Sequence, residues 1–266
     1  MSTARVRGIE MAYDVLGSGP PVVLLHGFPF NRSLWREQAE ALRDRYRVIT
    51  PDLRGHGETI ATGELIFTMD EMAQDVAALL EHLQIDRAAI GGLSMGGYVA
   101  LAFYRRFPLR VRTFILADTR PQAETDEARA HRETQAQKAL TEGMEAIADA
   151  MMPKLFSHGT LAERPQIVAR VREMITSNKP EAVAATQRGM AARTDHTQLL
   201  PRIIAPTLIL VGSEDRITTP EDAELMHREI RGSRLETIKG AGHVSNLEQP
   251  EQFNRALRAF LDAQQP

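Results

Sequence analysis

Ala88-Ala89-Ile90-Gly91-Gly92-Leu93-Ser94-Met95-Gly96-Gly97 decides how the rest of the chain is read. An apolar run ends at Ile90, and a helical pattern opens near Gly97 and continues to Phe107, where Pro108 stops it. Between them stands G-x-S-x-G in a strand-to-helix context. A residue at the tip of so sharp a turn is forced into strained backbone geometry, and the positions two residues either side must be small for the two elements to approach. Gly92 and Gly96 meet that demand. The helix behind Ser94 aims free N–H groups and its positive dipole end at the hydroxyl, where negative charge develops in acyl transfer. The competing reading of the same glycines is a turn that only packs a helix tightly onto a sheet.

Outward from this turn, short apolar runs alternate with helical patterns, as in parallel strands joined by crossover helices. Residues 22–25, 47–50, 88–90, 113–116, 207–211 and 234–238 read as strands, and most lack polar alternation, as strands buried on both faces should. Met72, Val76, Leu79, Leu80 and Leu83 form one helical stripe. The alternation stops after Asp118 and resumes near Ala205, so residues 120–200 are expected to be a helical insertion and residues 1–119 and 201–266 a doubly wound α/β core. Within the insertion Leu140, Met144, Ile147 and Met151 fall on one stripe, with Ile167, Val171 and Met174 or Ile175 on another after Pro165. Met144 and Met151 are candidates for an adaptable apolar lining of a binding pocket.

Composition narrows the classes of function. The 266 residues are 43% hydrophobic and 25% charged, values of an ordinary globular protein. Lys and Arg total 32 against 35 Asp and Glu, and without a long basic run no nucleic-acid partner is expected. There is no cysteine, hence no disulfide framework, thiolate metal site or Cys nucleophile, which fits a cytoplasmic location. No secretory signal is expected at the N-terminus, and no apolar run approaches the ~20 residues of a membrane span.

A serine hydroxyl is a weak nucleophile and needs a base, and that base a carboxylate to orient it. Asp215, in Gly212-Ser213-Glu214-Asp215-Arg216, follows the 207–211 strand; His243, in Gly240-Ala241-Gly242-His243, follows the last one. Both lie at the carboxyl edge of the sheet, as Ser94 does, and sites of open α/β sheets form there. Glu214 and Asp118 compete with Asp215 for the acid position; Asp118, at the end of the 113–116 strand, is alternatively a cap of the following segment or a substrate contact. His26-Gly27-Phe28-Pro29 occupies the same edge, and the amides of Phe28 and Met95 are the expected oxyanion hole. His26 reads as a structural histidine, and Asp52-Leu53-Arg54-Gly55-His56-Gly57 as a polar turn that braces the site. The other histidines show no metal-ligand spacing, and neither a dinucleotide fingerprint nor a Walker spacing is present, so no metal or cofactor is expected.

Together, His26 to Pro29, Asp52 to Gly57, Gly92 to Gly97, Pro206 to Asp215 and Gly240 to His243 resemble the α/β-hydrolase fold superfamily. The resemblance implies a mostly parallel eight-stranded sheet with helices on both faces and a helical cap between strands 6 and 7. Within the superfamily the serine-nucleophile motifs are similar to carboxylesterases, enol-lactonases of the 3-oxoadipate type and cofactor-free perhydrolases. The implied activity is hydrolysis of small carboxylic esters or lactones by a monomer or small homo-oligomer. Perhydrolysis or carbon–carbon bond hydrolysis on the same triad, and a non-catalytic small-molecule receptor, are the alternatives.

Overall fold

The computed structural model describes residues 2–61 and 63–264. Eight strands, β1 (Ser2–Val6), β2 (Ile9–Leu16), β3 (Pro21–Leu25), β4 (Arg47–Pro51), β5 (Ala88–Leu93), β6 (Val111–Ala117), β7 (Thr207–Gly212) and β8 (Arg234–Ile238), form one sheet in the order β1-β2-β4-β3-β5-β6-β7-β8. From β4 to β8 the pairing is parallel; β2 pairs antiparallel with both β1 and β4. Every residue of β5 and β7 is buried, which is why these strands read as unbroken apolar runs. β1 and β2 escape that pattern because they form an edge hairpin in which Ala4, Val6, Ile9 and Met11 face the core while Arg5 and Glu10 face outward.

The helices α1 (Arg36–Leu42), α2 (Met69–His82) and α3 (Met95–Arg106) connect the first strands; α8 (Pro220–Glu229), α9 (Ser245–Glu248) and α10 (Pro250–Asp262) accompany the last two. α2 begins with a capping box: Thr68 Oγ1 accepts from the Glu71 amide, and the Glu71 carboxylate accepts from the Thr68 amide. The apolar stripe of α2 is buried at Met72, Val76, Leu79 and Leu80.

Between β6 and β7 the chain makes four helices, α4 (Asp126–Leu155), α5 (His158–Glu163), α6 (Pro165–Thr176) and α7 (Pro180–Ala191). β6 and β7 are nevertheless neighbours, with Phe114 opposite Thr207 and Ala117 opposite Leu210. α6 buries Val171, Met174 and Ile175, as its periodicity predicts. α4 departs from the expected stripe. Gly143, at φ 80° and ψ −176°, breaks it into two arms and resets the helical phase, so Met144 and Ile147 are buried while Leu140 is 43% exposed. Polar contacts fasten the insertion to the core: Asn178 donates to the Pro29 carbonyl at 2.7 Å and accepts from the Gly57 amide at 3.1 Å, and Arg170 donates to the Ser33 carbonyl at 2.6 Å. Among the described residues no helix is long and apolar enough to cross a membrane.

Candidate active site

Ser94 sits between β5 and α3 at φ 54° and ψ −116°, a conformation that costs about 1–3 kcal/mol and is held by its surroundings. The glycines on either side leave no room for a side chain. A Cβ on Gly92 would stand 2.1 Å from the Gly96 backbone, and one on Gly96 would stand 2.1 Å from the Leu25 carbonyl oxygen. The close approach of Gly96 to Leu25 and His26 also draws the loop after β3 beside the serine. Ser94 is 8% exposed, and its amide donates to the Ala117 carbonyl at 3.0 Å, fixing the turn to the end of β6.

His243 Nε2 lies 2.8 Å from Ser94 Oγ, and His243 Nδ1 lies 2.8 Å from Asp215 Oδ2. Residues from the segments after β5, β7 and β8 thus meet at one edge. The Asp215 carboxylate is held in turn by the amides of Ile217 and Thr218, at 2.8 and 3.1 Å, and by Thr218 Oγ1 at 2.8 Å. Burial opposes its ionisation, but the adjacent imidazole and these donors hold its pKa below the ordinary carboxylate value. For His243, burial disfavours the charged ring; the charge and hydrogen bond of Asp215, with smaller contributions from Asp118 and Glu248, outweigh it and raise the pKa above 6.5. The His243 amide donates to the Leu155 carbonyl at 2.8 Å, so the insertion helps to hold the base.

Asp118 stands apart from this chain of bonds. It is fully buried at φ 42°; Oδ1 accepts from the Gly212 amide at 2.8 Å and Oδ2 from Ser245 Oγ at 2.5 Å. Burial first, and then the negative charge of Asp215, push its pKa well above the usual carboxylate range. Together they tie the end of β7, three residues before Asp215, to the start of α9, two residues after His243, so Asp118 braces the site and, fully buried, presents no free oxygen to a substrate. Glu214 points elsewhere, accepting from the His158 amide at 3.3 Å.

Met95 opens α3, so its amide has no carbonyl one turn before it. Phe28 occupies the turn Gly27-Phe28-Pro29-Phe30, closed by the Phe30 amide on the Gly27 carbonyl at 3.0 Å. His26 is structural: Nε2 accepts from the Leu53 amide at 2.9 Å, Nδ1 contacts the Gly27 carbonyl at 2.8 Å, and burial lowers its pKa to about 4, which keeps the ring neutral. The turn after β4 is locked by Asp52, whose carboxylate accepts from the Arg32 and Glu58 amides at 2.6 and 2.8 Å. Thr218, Ser245 and Glu248 escape sequence reasoning. The first is visible in retrospect as a hydroxyl three residues beyond an acid at a strand end, whereas Glu248, which accepts from the Gly242 and Ser157 amides at 2.7 and 2.8 Å, leaves no local signal.

A cavity of about 280 Å³ adjoins this edge, lined by Phe28 and Ile217 on the core side and by Met151, Arg120, Glu124, Arg132 and Lys154 among others from the insertion. Met151 therefore faces the cavity, whereas Met144 is buried in the hydrophobic core. A larger hollow of about 820 Å³ lies between β2, α1 and α6; neither cavity has Ser94, His243 or Asp215 on its wall, but only the smaller one is lined by Phe28 and Ile217, which adjoin them in the loop after β3 and beside Asp215. Two of the three arginines on the wall of the larger hollow are paired, Arg32 with Asp14, Asp52 and Glu58 and Arg170 with Glu37.

A family model described as the alpha/beta hydrolase fold matches residues 20–250. The chain is 32% identical to 3-oxoadipate enol-lactonase 2 of Acinetobacter baylyi over 97% of its own length and 96% of the relative's. Its structure superposes on a thermophilic esterase from Thermogutta terrifontis, solved with malate bound, with a TM-score of 0.97 and 42% identity over the whole of both chains. The enol-lactonase of Burkholderia xenovorans gives a TM-score of 0.92 at 31% identity, covering 98% of this chain and 100% of that one. With its motifs in order along the chain, its eight-stranded sheet and these relatives, the protein belongs to the α/β-hydrolase fold family.

Proposed function

We propose that this protein is a serine hydrolase of small carboxylic esters or lactones, with Ser94, His243 and Asp215 as its catalytic triad. The observation that carries the reading is the continuous chain of 2.8 Å contacts from Ser94 Oγ through the imidazole to the Asp215 carboxylate. As Ser94 Oγ bonds to the substrate carbonyl carbon, His243 Nε2 takes its proton; the carbonyl oxygen, now an anion, is met by the Phe28 and Met95 amides. The carbon–oxygen bond to the alcohol group breaks as His243 returns the proton to that oxygen, leaving an acyl-serine. Water then attacks the acyl carbon, giving its proton to His243, which passes it back to Ser94 as the acid departs. Asp215 orients the ring and stabilises its charged form. In this reading residues 120–200 are the cap over the site, and the cysteine-free chain works in the cytoplasm. The esterase and enol-lactonases among its relatives support both an open ester and a cyclic one as substrate.

A fluorophosphonate probe is expected to label one residue, mapped by peptide sequencing to Ser94, in a protein that also hydrolyses p-nitrophenyl acetate or butyrate. Label on any other residue, or no turnover across short esters and lactones, overturns the reading and favours the receptor alternative. The pH profile gives a separate check. Only the neutral imidazole accepts the serine proton, so kcat/KM rises with pH through the His243 pKa. Because Asp215 holds that pKa above 6.5, the midpoint of the acid limb is expected above 6.5, and in Asp215→Asn it falls. A midpoint that Asp215→Asn leaves in place would separate Asp215 from the base.

A further inference from the structure

The wall of the cavity that the insertion contributes is cationic, although the sequence pattern leads one to expect an apolar lining. Arg120, Arg132 and Lys154 face the cavity with a single carboxylate among them, Glu124. That carboxylate is already shared. It accepts from Arg120 at 3.1 Å and from Arg132 at 2.5 Å, and it pairs with Arg193 at 2.5 Å, so three guanidinium groups share this carboxylate, with Asp222 acting on Arg120 as a second negative charge off the cavity wall. Their charge holds Glu124 ionised: burial would raise its pKa, but Arg132 and Arg193 bring it below the ordinary value. The Nε of Arg120 is buried and has no hydrogen-bond partner among the described residues. Lys154 is exposed at the rim and enters no ion pair among them. A half-enclosed space with this excess of positive charge on its wall is stabilised by one more anion.

We propose that the substrate carries a carboxylate in addition to its ester, bound by Arg120 and Arg132 and drawn in by Lys154. The inference rests on the hydrolase reading above, because Phe28, from the expected oxyanion loop, and Ile217, whose amide holds Asp215, form the opposite wall of the same cavity. A guanidinium presents its donors in a planar fork that fits a carboxylate, and Lys154 acts as a point charge whose attraction weakens with salt. The cluster thus distinguishes an ester of a dicarboxylic acid, or of a hydroxy acid, from a neutral ester of equal size.

The test uses two matched pairs that differ only in charge: monoethyl glutarate against ethyl glutaramate, with the carboxylate on the acyl side, and 4-acetoxybutyrate against 4-acetoxybutyramide, with it on the alcohol side. The ratio of kcat/KM, anion over amide, is expected at ~10 or more at low ionic strength in at least one pair, and to decline in 0.5 M salt. Lys154→Glu and Arg120→Gln should each bring that ratio down severalfold, and the pair affected tells which side of the ester carries the charge. Ratios near one in both pairs, or ratios that neither substitution moves, overturn the proposal. Calorimetric titration of glutarate into Ser94→Ala requires no turnover. Binding that Lys154→Glu weakens supports the anion site even if no ester is cleaved, and absence of binding by a protein that does hydrolyse neutral esters overturns the anion site while leaving the hydrolase reading intact.

Discussion

Ser94→Ala is expected to lower kcat/KM for p-nitrophenyl butyrate by about 10⁴–10⁶, equivalent to about 5–8 kcal/mol of transition-state stabilisation. The size of the loss follows from what is deleted. His243 and Asp215 remain in place, but no oxygen is left to form the acyl intermediate, and residual catalysis comes only from the backbone donors and substrate positioning. Folding should be little affected. Ser94 Oγ has a single hydrogen bond of note, to His243 Nε2, and losing one such bond costs about 1 kcal/mol. The measurement is therefore a pair, initial rates and a thermal melt. A melt close to wild type with a rate loss of less than about 100-fold would mean that Ser94 is not the nucleophile.

Gly96→Ala should strike stability and activity together. The new methyl carbon would lie 2.1 Å from the Leu25 oxygen, 2.7 Å from the Leu25 carbonyl carbon and 2.8 Å from the His26 oxygen. These are backbone atoms of a central strand and the loop that follows it, so relief requires the loop to move. Overpacking of this kind costs ~3 kcal/mol, at the upper end of what inserted methyl groups do, and lowers the melting temperature by roughly 6–9 °C. The displaced loop carries Phe28, and a shift near 1 Å at an oxyanion donor is worth about 100-fold in rate. Gly143→Ala provides the contrast. Gly143 has a positive φ, which Gly96 lacks, but nothing lies within 4 Å of its missing Cβ, so only the conformational cost of about 1–3 kcal/mol applies. A loss of activity in Gly143→Ala as large as in Gly96→Ala would remove steric contact with the Phe28 loop as the reason for glycine at position 96.

The parts of this protein legible in the sequence are those whose physical demands are local. An unbroken apolar run is needed wherever a strand is covered on both faces, and β3 to β7 show it. The turn at Ser94 demands glycines at 92 and 96, and the spacing declares them. Asp215 and His243 are recognisable because each directly follows a strand, at the edge where sites form. Other features depend on partners distant in the chain. The role of Asp118 is set by Gly212 and Ser245, and nothing near residue 118 distinguishes a brace from a substrate contact. The break at Gly143 preserves helical composition on both sides, so a stripe drawn from Leu140 to Met151 crosses it unnoticed. The charge on the cavity wall becomes visible only when Arg120, Arg132 and Lys154 are brought around Glu124.

The direct pairing of β6 with β7 separates two kinds of change that the protein can undergo. The chain leaves the sheet at Ala117 and rejoins it at Thr207, yet the two strands lie side by side. Closing a loop of roughly ninety residues rather than a minimal crossover adds only about 2 kcal/mol of polymer entropy, because the cost grows with the logarithm of length. Segments of very different size and chemistry could therefore be grafted between the same two strands without altering the register that aligns the reactive groups. On the proposed reading, the wall that selects a molecule can be exchanged while the apparatus that cuts it is kept.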